Sequence, residues 1–522
     1  MRRDLSNPLM QTSTLTARAR WSLPGLALAA WLLLPGPLVA QETQPHAQQL
    51  PEMGTAAQAT LSLEDEKRIG RMVMRSLRET GRVMQDPEIT EYVQSVGLRL
   101  SSLAHEGNRD FGFFVMRDPA INAFALPGGY IGLHSGLILE TTNESQLAGV
   151  LAHEIAHVTQ RHIARGIENQ ARTNLVSTAA MLAAILIGAA AGGGGDATMG
   201  AISAAQGLAA QAQISFTREN EYEADRVGIG ILASAGFDTN GMPAFFDTMG
   251  RRTQLGPNQV PELLRTHPVT SARIAESKAR AAQYPPVEAR DSLSYQLIRE
   301  RIRVLTTPAG TDPRAYYASL TGNVPDLSLA QIYGQALATL TAGDAASAIP
   351  VLQNLRNEWP AVLQFHTALG QAQLAAGDTR AALETLERAR ELAPRNVPVT
   401  LAYGEALMRA GRSKRAHEVL LDLFNNVPPT QEQIRVTAMA ANAAGDVADA
   451  YSYMAEYHVM GGELPLAINQ LELALSVPGL TEVQRSRFVA RLNELREAMP
   501  RERARQQPQQ QRPAPQGQAS RG

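Results

Sequence analysis

A period of 34 residues in the second half of the chain constrains the fold more than any other sequence feature. Small or rigid residues recur at this interval in three registers: Gly343, Gly377, Gly411 and Gly445; Pro360, Pro394 and Pro428; and Ala348, Ala382, Ala416 and Ala450. One helical hairpin per period explains all three. Glycine turns the first helix into the second, alanine lets the two helices pack closely, and proline ends the second helix. The sequence therefore predicts a stack of helical hairpins.

This period resembles that of tetratricopeptide repeats. Gly370 and Gly404 keep the same interval, and the array is expected to run from about Leu327 to Leu475, within a repeat domain of residues 327–498. Such an array forms either a superhelical spacer or a concave groove that binds peptides or a partner protein. We favour the groove because repeat arrays of this kind commonly bind other proteins.

Composition excludes several classes of function. The 522 residues include no cysteine, which excludes disulfides, thiolate nucleophiles, cysteine-based zinc fingers and lipid attachment at an N-terminal cysteine. Any metal ion must therefore be held by histidine, aspartate or glutamate. A formal net charge of −2 argues against nucleic acid as a partner.

Residues 147–163 read LAGVLAHEIAHVTQRHI, which predicts an apolar helix that carries His153, Glu154 and His157. Residues four apart on a helix differ by only about 40° in direction, so both imidazoles can reach one ion while Glu154 stands beside them. The alternative is two surface histidines on an ordinary helix. We expect one catalytic Zn²⁺ per chain, with Glu154 as the general base that takes a proton from water and passes it to the leaving amine.

A catalytic zinc needs a third protein ligand and leaves its fourth position to water. Residues 216–231 read FTRENEYEADRVGIGI, a helical pattern that places two pairs of carboxylates four residues apart. Glu221 and Asp225 share one face, and Glu219 and Glu223 share another. Spacing alone does not choose between the two pairs.

An HExxH helix followed by an Asn-Glu-x-x-Ala-Asp helix resembles the gluzincin metallopeptidases related to HtpX and the CAAX prenyl proteases. The resemblance implies that Glu221 is the third metal ligand and that Asp225 supports a ligating histidine. It also covers the segment Asn-Ala-Phe-Ala-x-Pro-Gly-Gly, which begins at Asn122. After it, Gly128, Gly129, Tyr130 and Ile131 are expected to form a strand near an exposed edge that pairs with an unfolded substrate. The alternative is an ordinary hairpin.

Residues 263–274 read LLRTHPVTSARI and match a further motif of the family. A histidine held by the following proline can approach the metal, so His267 is expected either to stabilise the oxyanion or to fill the fourth position and exclude water. The alternative is a helix cap with a solvated side chain. Arg273 is expected to anchor this loop or to polarise the substrate carbonyl.

The N-terminus has the order of a secretory signal. Arg18 and Arg20 precede an apolar stretch, residues 23–34, and small residues follow it. Residues 1–40 are therefore predicted to be a signal peptide, although an uncleaved anchor is the alternative. Residues 41–60 then form a flexible lead-in to the mature chain.

The remaining boundaries are set by composition. The metallopeptidase domain is predicted to span residues 61–285, a linker region residues 286–326, and a Gln/Pro/Arg-rich disordered tail residues 499–522. The apolar run 175–195 is long enough to span a bilayer. We expect instead a packed helix with a glycine-rich tip that covers the active site or touches a membrane.

The predicted fold is α+β and mostly helical, with a zincin-type metallopeptidase domain followed by an α-solenoid of tetratricopeptide repeats. This combination resembles periplasmic proteases of Gram-negative bacteria that serve outer-membrane protein quality control. The resemblance implies substrates that are unfolded or misassembled outer-membrane proteins, contact between the repeats and the β-barrel assembly machinery, and association with the outer membrane.

Two rival functions remain open at this point. One is a chaperone or assembly scaffold whose zinc site is latched or vestigial. The other is an intramembrane or prenyl-protein protease, which would need several strong membrane spans.

Overall fold

The computed structural model describes residues 61–104, 110–168, 217–253, 261–287, 291–321 and 327–506. Its first half contains α1 (Leu63–Glu79), α2 (Pro87–Ser101), β1 (Gly112–Met116), β2 (Ala123–Ala125), β3 (Tyr130–His134), α3 (Ser135–Glu140), α4 (Glu144–Thr159), α5 (His162–Glu168), α6 (Arg218–Ser234), α7 (Gly241–Thr253), α8 (Leu263–Thr266) and α9 (Ser271–Ala281). This mixture of one small sheet with many helices confirms the predicted fold class.

The second half is helical. It contains α10 (Leu293–Leu305), α11 (Arg314–Thr321), α12 (Leu329–Thr341), α13 (Ala345–Glu358), α14 (Leu363–Ala375), α15 (Thr379–Leu392), α16 (Val397–Arg409), α17 (Ser413–Asn426), α18 (Gln431–Ala444), α19 (Val447–Met460), α20 (Leu464–Ser476) and α21 (Glu482–Gln506). Helix α21 continues past the predicted start of a disordered tail at residue 499.

Some sequence predictions lie outside the described residues. They are the signal peptide at 1–40, the lead-in at 41–60, the apolar run at 175–195 and the part of the predicted tail at 507–522. Within the part of the chain that the structure describes, no helix combines the length and the apolar character needed to cross a membrane.

The sheet has the order β1-β3-β2. Strand β3 runs parallel to β1, with Tyr130 opposite Gly112, and antiparallel to β2, with Ile131 opposite Ala125. Because β3 is the central strand, the prediction that Tyr130 and Ile131 form a substrate-binding edge is wrong. Strand β2 lies at the border of this sheet instead.

The two glycines assigned to that edge form the turn before β3. Gly128 and Gly129 have φ angles of 82° and 88°, a region that side chains disfavour. A Cβ on Gly128 would lie 2.7 Å from Cα of Lys67, and one on Gly129 would lie 2.3 Å from the carbonyl oxygen of Asp110. Both glycines are therefore required by the turn and its close packing, and the prediction that they contact substrate is not supported.

Helix α4 lies at the centre of the peptidase half. Asn143 caps it, because its side-chain oxygen accepts a hydrogen bond of 2.9 Å from the backbone N–H of Gln146. Every residue from 145 to 159 is buried. Gly149 allows α7 to approach, since a Cβ there would lie 2.9 Å from Cα of Met242. A helix covered on all sides holds its side chains in fixed positions, which suits a metal site.

The described part of the predicted linker region 286–326 is largely helical. This segment contains α10 and α11, and α10 contributes to two cores. Tyr295 and Ile302 pack in the core of the peptidase half, whereas Leu297 and Val304 pack in the core of the first repeats. Helix α10 therefore joins the two halves instead of separating them.

The repeat array has the predicted construction. Gly343, Gly377, Gly411 and Gly445 follow the first helix of successive hairpins with φ angles of 90°, 83°, 72° and 91°. The alanines of the same period are buried. Gly370 lies directly against Leu386, because a Cβ on Gly370 would come within 2.7 Å of Leu386 Cγ. The 34-residue period thus records close helix contacts.

A buried ionic cluster holds the first repeats on helix α2. The Arg301 guanidinium lies 2.7 Å from Oδ2 of Asp86 and 3.3 Å from Oε2 of Glu88. The Tyr333 hydroxyl donates to Oε2 of Glu88 at 3.2 Å, and the Thr367 hydroxyl donates to the same carboxylate. Burial raises the pKa of Glu88. Burial acts in the same direction on Asp86, but Arg301 and the backbone N–H groups of Ile89 and Glu88 together lower its pKa. Polar contacts between buried groups therefore fix the junction of the two halves.

Candidate metal centre

Helix α4 presents two imidazoles to one point. The Nε2 atoms of His153 and His157 lie 3.0 Å apart, and only 5% and 0% of the two side chains are exposed. This is the arrangement that a spacing of four residues on a helix predicts.

Helix α6 adds a carboxylate to this pair. Glu221 places Oε2 at 3.5 Å from Nε2 of His153 and Oε1 at 3.5 Å from Nε2 of His157. Glu219 is exposed. Contact with His267 and His153 lowers the pKa of Glu221 well below its usual range, against the effect of burial. The structure thus brings Glu221, and not Glu219, to the histidines.

His267 follows α8 and completes the cluster. Its Nδ1 lies 3.0 Å from Oε1 of Glu221 and 3.4 Å from Nε2 of His153. Its backbone N–H donates to the carbonyl oxygen of Leu263 at 2.8 Å, which fixes the loop at the end of α8. The side chain is therefore buried in the cluster and is not a solvated cap.

One ligand atom from each of His153, His157, Glu221 and His267 lies within 4.8 Å of the other three. The closest separations are 3.0 to 3.5 Å. Four ligands at about 2.0–2.1 Å from a tetrahedral zinc ion lie roughly 3.3 Å apart. Three imidazoles and one carboxylate therefore fit an ion of this size.

Glu154 lies on the same turn of α4, next to the cluster. Its Oε1 is 3.6 Å from Nε2 of His267, and its side chain is fully buried. Burial raises the pKa of Glu154, although His267, His153 and the backbone N–H of Ala125 act in the opposite direction. A carboxylate with a raised pKa beside a metal site is suited to take and return a proton.

A carboxylate and a guanidinium stand behind His153. Nδ1 of His153 lies 3.0 Å from Oδ1 of Asp225, and Arg273 donates to both oxygens of Asp225, at 2.8 Å and 2.7 Å. Burial favours the neutral ring, but Asp225 and Glu221 outweigh it and raise the pKa of His153 to about 10. A metal ion binds the neutral ring, so the raised pKa couples metal binding to the release of a proton from His153.

Arg273 also ties this helix to the loop of His267. Its Nη1 donates to the carbonyl oxygen of Pro268 at 2.8 Å and lies 2.7 Å from Oε2 of Glu221. These contacts fit an anchor for the loop, which is one of the two roles predicted for Arg273.

A fourth histidine, which sequence reasoning missed, stands behind His157. Nδ1 of His162 lies 2.8 Å from Nδ1 of His157, and Nε2 of His162 lies 3.0 Å from Oε2 of Glu223. Burial lowers the pKa of His162 to about 4. A spacing of five residues does not share a helix face, so the HExxH pattern gave no signal for His162.

The border strand β2 turns part of its backbone towards the cluster. His134 N–H donates to the carbonyl oxygen of Asn122 at 2.9 Å, and Leu126 N–H donates to that of Tyr130 at 2.7 Å. Along an antiparallel pair, residues whose backbone groups bond the neighbouring strand alternate with residues whose backbone groups point away from it. The backbone groups of Ala123 and Ala125 therefore point away from β3. The N–H of Ala125 lowers the pKa of Glu154.

Comparison with known proteins agrees with this geometry. Peptidase family M48 matches residues 87–281, which include all four residues of the cluster. A beta-barrel assembly-enhancing protease of Escherichia coli K12 is 37% identical over 342 residues, 64% of this chain and 69% of that protein. The chain belongs to peptidase family M48. The resemblance to metallopeptidases is thereby confirmed, and the protein is a metalloprotease.

Further matches cover both halves. A beta-barrel assembly-enhancing protease of Yersinia pestis is 37% identical over 347 residues, 65% of this chain and 70% of that protein. The mitochondrial metalloendopeptidase OMA1 of Schizosaccharomyces pombe is 33% identical over 186 residues, 35% of this chain and 51% of that protein. A tetratricopeptide repeat family matches residues 373–441, which confirms the predicted repeats.

Proposed function

We propose that this metalloprotease is an exported, zinc-dependent endopeptidase that degrades misfolded or misassembled outer-membrane proteins and assists their assembly. The convergence of His153, His157, Glu221 and His267 within 4.8 Å carries the catalytic part of the proposal. The relatives named beta-barrel assembly-enhancing protease support the choice of substrate.

His153, His157 and Glu221 would hold the zinc ion, whose charge would activate a water molecule and polarise the peptide carbonyl. Glu154 takes the proton from the attacking water at its carboxylate and returns it to the nitrogen of the leaving amine. Burial helps this proton transfer, because it raises the pKa of Glu154. Asp225 holds His153 from behind, and Arg273 holds Asp225.

His267 acts as a latch in this proposal. Its Nδ1 occupies the fourth corner of the cluster, 3.0 Å from Oε1 of Glu221. Catalytic zinc sites keep that position open for water and substrate. His267 must therefore move away before a peptide is cleaved, and the loop between α8 and α9 is the element that moves.

An unfolded substrate would pair with β2. Backbone groups of Ala123 and Ala125 face away from β3, and β2 lies next to Glu154. An added antiparallel strand would bring its backbone carbonyls towards the metal, which would favour extended chains over folded ones.

The repeats would supply the protein contacts, including contact with the β-barrel assembly machinery. Part of the surface formed by their first helices is already used, because Asn396 donates to Oε1 of Glu91 at 2.8 Å and Arg78 donates to Oε1 of Gln431 at 2.7 Å. A partner would therefore bind the parts of the array that do not face α1 and α2.

Export rests on the signal pattern of residues 1–40, with a periplasmic location and association with the outer membrane as its consequence. Sequencing the N-terminus of protein recovered from the periplasm tests this, since we expect it to begin near Gln41. Protease accessibility of residues 175–195 in spheroplasts tests a peripheral membrane contact.

Cleavage of an unfolded outer-membrane β-barrel precursor tests the activity. We expect the purified chain to cleave it, to lose the activity after metal removal with a chelator, and to regain it when zinc is returned. Cleavage that survives metal removal would contradict the proposal.

The second candidate is a chaperone or scaffold with a latched site, which the position of His267 favours. If the purified chain cleaves nothing, His267→Ala separates the two functions. Cleavage by that variant would indicate a latched protease, and its absence would indicate a scaffold.

A further inference from the structure

The two ligating histidines of α4 are held from behind by different groups. Nε2 of His157 faces the cluster, 3.0 Å from Nε2 of His153. Its other ring nitrogen, Nδ1, faces His162 at 2.8 Å. A ligating imidazole normally donates its second N–H to a carboxylate or carbonyl oxygen. Here an imidazole takes that place.

A strained turn delivers His162 to this position. On a continuous helix a residue five positions after His157 would point about 140° away from it. Instead α4 ends at Thr159 and Arg161 adopts the left-handed region, with φ of 53°. The Arg161 guanidinium donates to Oε1 of Glu66 at 2.9 Å and to the carbonyl oxygen of Leu61 at 2.6 Å. Long-range contacts therefore hold an unfavourable backbone conformation, which interrupts the helix and brings His162 onto His157.

The partners of His162 define where its hydrogen lies. Its Nε2 is 3.0 Å from Oε2 of Glu223, and an ionised carboxylate only accepts hydrogen bonds. Nε2 of a neutral His162 therefore carries the hydrogen, and Nδ1 carries a lone pair. Nδ1 of His162 therefore accepts a hydrogen bond from Nδ1–H of His157. The free lone pair of the His157 ring is then on Nε2, which faces the cluster.

Glu223 is fixed in turn by Arg165, whose Nη2 lies 3.0 Å from Oε2 of Glu223. The side chain of His162 is fully buried, with 0% exposed. A truncated side chain at residue 162 would remove this buried acceptor from Nδ1–H of His157.

We propose that His162 and Glu223 are positioning residues that fix the tautomer and the ring orientation of His157 for metal binding. Glu223 and Arg165 stand behind His157 as Asp225 and Arg273 stand behind His153, with His162 inserted between the ligand and the carboxylate. The inference rests on the proposed zinc site. It also gives Glu223, which the spacing of acidic residues on α6 left without a role, a function in the same helix as the ligand Glu221.

The test measures the zinc affinity of the purified full chain by competition with a chromophoric chelator. We expect His162→Ala to weaken zinc binding by about 10-fold to 100-fold, the range for partners of metal-bound histidines. His162→Asn should lose less, because its amide oxygen can still accept from Nδ1–H of His157. Glu223→Ala should weaken binding, whereas Glu219→Ala, an exposed position on the same helix, should not.

The unfolding temperature of the metal-free protein distinguishes positioning from a structural role. Weaker zinc binding with an unchanged metal-free unfolding temperature, and partial rescue by His162→Asn, would support the inference. Unchanged zinc affinity in His162→Ala would overturn it, even if that variant is less stable. If His162→Ala does not fold, unchanged affinity in both His162→Asn and Glu223→Ala would overturn it. A wild-type chain that binds no zinc would instead refute the proposed zinc site itself.

Discussion

In the peptidase half, four titratable side chains converge within 4.8 Å in the interior, whereas alanine and leucine dominate the interior of the repeats. The metal cluster depends on single atoms, and each of its side chains has a specific partner. The repeats depend on a periodic shape that many positions share. Substitutions should therefore affect function in the first half and stability in the second.

The largest expected effect follows from removing the carboxylate ligand. Glu221→Ala leaves only imidazoles at the cluster and removes one partner of the Arg273 guanidinium beside it, so we expect loss of stoichiometric zinc and of all cleavage. Metal analysis after gel filtration measures this. Glu219→Ala is the matched control, and equal zinc content in both variants would contradict the assignment of Glu221.

The junction of the two halves, like the metal cluster, depends on specific contacts between single buried charged groups. Arg301→Met would leave the buried carboxylates of Asp86 and Glu88 without their cation, which typically costs about 3–5 kcal/mol. Chemical denaturation measures the free energy of unfolding. If Arg301→Met changes the free energy of unfolding no more than substitution of an exposed arginine does, the buried cluster does not hold the halves together.

Within the repeats, the effect should be on packing alone. Gly370→Ala places a Cβ within 2.7 Å of Leu386 Cγ, and overpacking of this kind costs about 1–3 kcal/mol. We expect a lower free energy of unfolding and an unchanged rate of cleavage of a short peptide. Loss of zinc in this variant would contradict the expectation that substitutions in the repeats affect stability alone.

Removal of the latch residue His267 should increase activity, whereas the preceding substitutions lower activity or stability. If the closed position of His267 is favoured by about 1.4 kcal/mol, His267→Ala should raise the cleavage rate about tenfold. Initial rates on the unfolded precursor at saturating zinc measure this. A slower variant would assign His267 a catalytic role in place of a latch.

The smallest effect is expected on the exposed surface of the array. Arg380 and Glu384 form a pair at 3.1 Å with 91% and 68% of their side chains exposed. Such pairs contribute below about 0.5 kcal/mol, so Arg380→Ala should leave both stability and cleavage unchanged. A larger loss of cleavage would indicate that this surface takes part in binding the substrate.

The sequence predicted what depends on local spacing. The period of 34 residues predicted the repeats, and the spacing of His153 and His157 predicted two of the four residues of the metal cluster. The choice of Glu221 over Glu219 needed resemblance to a family, because both carboxylate pairs have helical spacing.

The missed features depend on contacts between distant segments. The position of β3 in the centre of the sheet is set by pairing with both neighbours, so the glycine-rich turn before it was mistaken for a substrate-binding edge. The role of His162 depends on the positive φ of Arg161, which contacts with Glu66 and Leu61 maintain. Helix α10 was taken for part of a linker because its two faces belong to different cores.

The most direct test of the central claim is the cleavage of an unfolded outer-membrane β-barrel precursor by the zinc-loaded chain, with Glu154→Gln as the paired variant. The substitution preserves the size of the side chain, but the neutral amide cannot accept the proton of the attacking water. We predict that wild type cleaves the precursor, while Glu154→Gln retains zinc and cleaves nothing. Cleavage at the normal rate by Glu154→Gln would contradict the mechanism.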